Sequence, residues 1–194
     1  MTAERSDPPS APAASRCRVF FALWPDDATA RAMSQLAASM VPPQARKMRR
    51  DTLHLTLAFV GDVPVDALSA ILRVGDQTAW PALRFDIDRI AHWPHNGIVW
   101  AGCTHTPPAL AELAASLHAG LKAAGFALRE RDFVAHVTLA RKARALAVAE
   151  PRVAPIQWRV RDGVLAASTR TASGAEYRVL RRWPCAVAGD GAYT

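Results

Sequence analysis

One five-residue pattern occurs twice in this 194-residue chain, as His54-Leu55-Thr56-Leu57-Ala58 and His136-Val137-Thr138-Leu139-Ala140. In an extended strand, successive side chains point to opposite faces. Each copy therefore sets one imidazole and one hydroxyl on one face. Leu53, Leu55, Leu57 and Phe59 are expected behind the first pair, and Ala135, Val137 and Leu139 behind the second. A strand with an apolar back and a polar front needs a core on one side and an open surface on the other. A single His on a strand is more often structural than chemical. Repetition changes that balance, because strand structure has no need of His where Val or Thr fits better. The two His are 82 residues apart, which leaves one half-domain for each. Facing each other across a groove, they would bring two imidazoles to one ligand, the minimum for paired acid and base work near neutral pH.

The rest of the chain is compatible with such a fold. Apolar residues make up 51% of it, ordinary for a globular protein, and no stretch approaches the roughly 18 consecutive apolar residues of a membrane span. The first 15 residues are rich in Pro, Ala and Ser and lack the charged-then-apolar order of a secretory signal. They suggest a disordered tail over 1–16, a single domain over 17–184 and a second tail over 185–194. Cys17, Cys103 and Cys185 are odd in number and lack metal-ligand spacing, so reduced thiols and a cytoplasmic setting are expected. The net charge is +7, and 21 of the 24 basic residues are Arg, which favours a polyanionic partner, nucleic acid first. The chain is also Ala-rich, however, and an Arg/Ala compositional bias would give the same charge.

Strands are expected at 18–24, 52–60, 84–91, 98–103, 133–140, 156–160, 164–168 and 177–183. Helices are expected after Pro25-Asp26-Asp27, with Met33, Leu36, Ala37 and Met40 on one face, then through Val65, Leu68, Ile71 and Leu72. A third opens at Pro107-Pro108 with Leu110, Leu113, Leu117 and Leu121 aligned, and Gly125 stops it. This is mixed α+β, with β-rich sheets and helices packed outside. No Gly-rich phosphate loop is present.

A ribose 2′,3′-cyclic phosphate suits such a groove. Its hydrolysis needs an activated water on one side of phosphorus and a protonated leaving alkoxide on the other. One neutral and one protonated imidazole provide both. Thr56 and Thr138 can donate hydrogen bonds to the phosphate, and Arg141, at the end of the second motif, can offset its charge. Strict alternation sets Arg141 on the face opposite His136, so it reaches the groove only if the strand ends or bulges near Ala140.

These residues resemble the two-histidine (2H) phosphoesterase superfamily and, more narrowly, the RNA 2′,3′-cyclic phosphodiesterase family, also named 2′-5′ RNA ligase. Five segments carry the likeness: Arg18-Val-Phe-Phe-Ala-Leu-Trp-Pro, the two His motifs, Gly97-Ile-Val-Trp-Ala-Gly and Tyr177-Arg-Val-Leu-Arg-Arg-Trp. One departure is Ala135, where the family commonly has Pro. The resemblance implies a bilobal 2H phosphoesterase (LigT-like) fold: two pseudo-symmetric antiparallel sheet lobes, helices outside and a central cleft. It implies opening of 2′,3′-cyclic phosphate ends to 2′-phosphomonoesters without metal or cofactor. It gives His54 as proton donor, His136 as proton acceptor, and Thr56, Thr138 and Arg141 as phosphate contacts. The partners implied are RNA ends or nucleoside 2′,3′-cyclic phosphates, bound by a monomer, with no membrane. The reverse reaction, 2′-5′ ligation, is also implied.

The other His carry less. His92 and His95 share a turn-rich loop with Trp93 but have no further ligands at metal spacing. Trp93 could stack on a base or pack in the turn. His118 falls between Leu117 and Leu121 on the third helix, at the edge of its buried face, and His105 lies in a Thr/Pro loop without a visible partner. One of Phe20 and Phe21 belongs to the core, and the other could line the cleft. Two further readings stay open: the same machinery acting on another small cyclic or 2′-5′ nucleotide, and a non-catalytic RNA-binding module. A matched imidazole pair counts against the second, since binding alone does not need one.

Overall fold

The computed structural model describes residues 15–129, 132–148, 153–171 and 174–186. Along them run β1 (Arg16–Leu23), α1 (Asp27–Met40), β2 (Arg46–Lys47), β3 (Leu55–Pro64), α2 (Leu68–Gln77), β4 (Arg84–Ile87) and β5 (Arg89–Trp93). β6 (Ile98–Gly102), α3 (Pro108–Ala123), β7 (His136–Arg141), β8 (Ile156–Arg159), β9 (Asp162–Thr171) and β10 (Gly174–Pro184) follow. Short 3₁₀ turns at Arg50–Thr52 and Val65–Ala67 precede β3 and α2.

The strands of the two repeats lie side by side in the middle of an antiparallel sheet ordered β10-β9-β1-β3-β7-β6-β5, with β2 also paired to β7. β10, β9, β1 and β3 form one lobe; β7, β6 and β5 the other. The lobes meet at one residue pair, Leu55 with Val137. β4 and β8 make a separate two-stranded sheet. The α+β, bilobal, antiparallel architecture expected from the sequence is the one observed.

Alternation on β1 divides the core. Val19, Phe21 and Leu23 enter the main cluster, which includes Met33 and Ala37 of α1 and the buried residues of α3. Phe20 and Ala22 point the other way, into a small cluster with Val164, Ala166, Trp24, Tyr177 and Val179. The helices cover one face of the sheet and leave the other open as a cleft. α1 starts where Asp26 accepts a hydrogen bond from the Thr29 amide at 2.8 Å. α3 buries Leu110, Leu113, Leu117 and Leu121 and is followed by Gly125 at φ +88°, a conformation that favours glycine.

Several expectations are corrected. The strand expected at 84–91 is two strands in different sheets, divided at Asp88, whose carboxylate accepts from the Thr104 amide at 2.6 Å. His92 and Trp93 belong to β5 rather than to a loop. The first His strand begins at Leu55, after a 3₁₀ turn, not at residue 52. Phe59 is 45% exposed instead of lying behind His54. Packing continues past 184: Cys185 is buried, and its amide donates to the Arg161 carbonyl. The tail expected over 1–16 lies, apart from Ser15 and Arg16, outside the described residues, as does 187–194 of the second.

Candidate active site

Both repeats bend at the same place. β1 pairs Ala22 with Thr56 and Phe21 with Ala58, so Leu57 is an extra residue on β3. β6 pairs Trp100 with Thr138 and Val99 with Ala140, so Leu139 is an extra residue on β7. Each Leu is thus the inserted residue of a β-bulge, and the Leu and the Ala after it are both buried. Ala is small enough for two successive residues to turn inward. Alternation then resumes one step out of phase and brings Phe59 and Arg141 round to the His face. This is the bulge that Arg141 needed, and it also explains why Phe59 is not in the core.

The two imidazoles are held alike. His54 Nδ1 lies 2.7 Å from the Thr52 carbonyl, and His136 Nδ1 lies 2.7 Å from the Val134 carbonyl. A carbonyl only accepts, so each Nδ1 carries the hydrogen, and Nε2 is the nitrogen left for a ligand. The Thr52 carbonyl is itself fixed by the 3₁₀ turn, where the Thr52 hydroxyl donates to the Arg49 carbonyl at 2.7 Å. Gly102 sits opposite His136, and a Cβ there would collide with the Ala135 carbonyl; the absence of a side chain lets β6 approach the start of β7.

The surroundings differ. Trp24 stacks on His54 at 5.0 Å and 17°, while Phe20 and Tyr177 each lie at 4.9 Å. The Trp24 indole donates to the Asp51 carbonyl at 3.3 Å, which ties that ring in place. His136 meets Trp93 edge-on at 4.7 Å and Trp100 at 6.1 Å. Burial among these rings lowers the His54 pKa from its ordinary 6.5 to about 4, with the charges of His136 and Arg141 adding to the effect. His136 is lowered for the same reasons, burial first and then Arg141. Both rings are therefore neutral at pH 7 in the free protein.

The cleft consists of two adjoining pockets of about 470 and 530 Å³ that share His54, Thr56, Phe59, Arg141, Arg18 and Tyr177. His136, Thr138, Trp93 and His95 line the second; Arg46 and Arg170 line the first. Among the described residues Asp132 is the one acidic residue lining either. All five residues singled out from the sequence, His54, His136, Thr56, Thr138 and Arg141, thus border one cleft. His92 does not: its Nε2 meets the Ala143 carbonyl at 3.1 Å. His105 is exposed and His118 half-buried on α3. Among the described residues no group of three His, Cys, Asp or Glu side chains could hold a metal ion. Cys103 and Cys185 are buried free thiols, each pushed up to about 11 by desolvation.

Sequence reasoning missed the Trp24 and Tyr177 contacts on His54 and the group Arg18, Arg46 and Arg170. For Trp24 a signal existed, since it falls two and four residues beyond Ala22 and Phe20 on the cleft side. Tyr177 comes from a strand remote in sequence, and Arg46 is placed by pairing with the distant Arg141, which no local pattern reports.

Residues 24–171 match the family model described as the 2′-5′ RNA ligase superfamily. A protein of Escherichia coli (strain K12) named RNA 2′,3′-cyclic phosphodiesterase is 30% identical over 170 residues, which is 86% of this chain and 95% of that protein. A protein of the same name from Archaeoglobus fulgidus is 28% identical over 178 residues, covering 84% and 98%. The crystal structure of E. coli LigT complexed with 3′-AMP is similar with a TM-score of 0.81 at 28% identity, covering 88% of this chain and 99% of that one.

Proposed function

This chain belongs to the 2′-5′ RNA ligase superfamily, and from that we propose that it hydrolyses RNA 2′,3′-cyclic phosphate ends to 2′-phosphomonoesters. The observation that carries the reading is the matched pair of imidazoles, each tied through Nδ1 to a backbone carbonyl and each beside a Thr hydroxyl in one cleft. In the reaction, water attacks phosphorus and gives a proton to His136 Nε2. The bond from phosphorus to O3′ breaks, and His54 Nε2 gives its proton to that oxygen, leaving a 3′-hydroxyl and a 2′-phosphate. Thr56 and Thr138 donate to non-bridging oxygens, and Arg141 offsets their charge. The aromatic rings around His54 disfavour its charged form, so its role as donor rests on the bound phosphate, whose negative charge favours uptake of a proton from solvent. Run backwards, with a 5′-hydroxyl in place of water, the same groups would join ends through a 2′-5′ linkage.

The two named relatives support the choice of substrate. Phosphorus NMR of the product from a dinucleotide ending in a 2′,3′-cyclic phosphate tests it. A 2′-phosphate alone is expected. A 3′-phosphate or a mixture would mean that the cleft does not hold O3′ against His54.

A further inference from the structure

We propose that the arginine-lined pocket beside His54 binds the phosphodiester immediately upstream of the reacting terminal phosphate. The chain would then select an oligonucleotide end over a nucleoside 2′,3′-cyclic phosphate. This rests on the reaction proposed above and adds the residues that read substrate length.

Arg18, Arg46, Arg141 and Arg170 line this pocket of about 470 Å³ together, and no Asp or Glu is among the described residues that line it. They arrive from four strands. Arg18 on β1 pairs in register with Ser168 on β9, and Arg170 follows Ser168 on the same face, which Val164 and Ala166 show to be the cleft face. Arg46 on β2 is the register partner of Arg141 on β7. A Cβ at Gly174 would touch Arg46 Nη1, so this side chain spans from the second lobe to β10 of the first.

Six arginines elsewhere on the surface are neutralised. Arg16, Arg31, Arg49, Arg50, Arg181 and Arg182 all form ion pairs with Asp. Among the described residues none of the four in the pocket does; Arg18 instead lies over the Phe59 ring at 4.7 Å. Four like charges converging without a counter-ion repel one another, and an anion relieves that.

One phosphate does not account for them. A cyclic phosphodiester carries a single negative charge, and Arg141 borders both pockets and can meet it. Arg46 and Arg170 border only the first pocket, away from His136. A second phosphate, one position along the chain from the reacting one, would bring an anion to them. Guanidinium forks suit phosphate oxygens, and a contact to phosphate rather than to a base edge reads length and not sequence.

The experiment compares kcat/KM for three substrates: a nucleoside 2′,3′-cyclic phosphate, a dinucleotide ending in the same cyclic phosphate, and that dinucleotide with an uncharged methylphosphonate linkage. The charged dinucleotide is expected to exceed the mononucleotide by about ten-fold or more, with the methylphosphonate falling back towards the mononucleotide. In Arg46→Ala/Arg170→Ala the ratio of charged dinucleotide to mononucleotide should approach one. The dependence of kcat/KM on salt for the charged dinucleotide should weaken in the same variant, since the contact to one phosphate is lost. Equal wild-type rates on the charged dinucleotide and the mononucleotide would overturn the inference. So would a preference that survives the methylphosphonate or the double substitution. Failure of the wild-type protein to turn over any of the three would reject the reaction itself.

Discussion

Leu55 and Val137 pair directly across the centre of the sheet, and they hold the same position in the two repeats. Equivalent residues meet in this way where a twofold axis passes between them. His54 and His136 precede them, one on either side of that axis, and the bulged Leu57 and Leu139 follow. The pseudo-symmetry therefore extends from the imidazoles to the kinks that turn Phe59 and Arg141 into the cleft. It ends there: one station holds an aromatic ring and the other a cation, and the rings around the two imidazoles differ. The same backbone twice gives two matched nitrogens, and different neighbours give them different proton affinities.

Substituting either imidazole should show that the pair acts as a unit. His54→Ala and His136→Ala are each expected to lower kcat by about 10²-fold or more, and the double variant should lose much less than the product of the two. Thr56→Ala and Thr138→Ala should be milder, since each deletes one hydrogen bond to phosphate. A single His variant with near wild-type kcat would remove that His from the chemistry.

The pH profile should differ between the free protein and the complex. Both imidazoles lie below 6.5 in the free protein, His54 at about 4, so the form with one proton is depleted as pH rises towards neutrality. The basic limb of kcat/KM should then fall below pH 6.5. A bound anionic phosphate favours the protonated imidazole, so the basic limb of kcat should lie higher. The limbs belong to the pair. Superimposable limbs in the two profiles would show that the substrate does not supply the missing charge.

Trp24 offers a direct check on the cause of the His54 shift. Trp24→Ala removes the stacked ring and admits water to one face of the imidazole. The His54 pKa should rise from about 4 towards 6.5, as read by NMR titration of its ring protons. His136, in contact with Trp93 and Trp100 instead, should move little. An unchanged His54 would mean that desolvation by Trp24 is not what lowers it.

Turnover should persist in excess EDTA. The groups that move protons in the proposed mechanism are two imidazoles, and the described residues gather no metal-ligating cluster. Loss of activity on chelation, restored by a divalent ion, would reject the two-imidazole mechanism.

The sequence alone determined which residues share a face and which chemistry they suit. Period-two alternation is a property of the extended backbone, so the pairing of His54 with Thr56 and of His136 with Thr138 was legible without a structure, as was the leucine face of α3. Repetition identified the two halves. What lay beyond the sequence depended on partners distant along the chain. A bulge exists only relative to a neighbouring strand: Leu57 and Leu139 become extra residues against β1 and β6. Hence the exposure of Phe59 was misread, and that of Arg141 could be stated only as a condition. The tautomer of each imidazole was set by a backbone carbonyl, a group every residue carries. The depressed proton affinity of His54 needed Phe20 from β1, Trp24 just beyond its end and Tyr177 from β10 to close around it. Local geometry is encoded locally, but desolvation and charge at a point in space are sums over whatever the fold brings there, and only the tertiary structure carries out that sum.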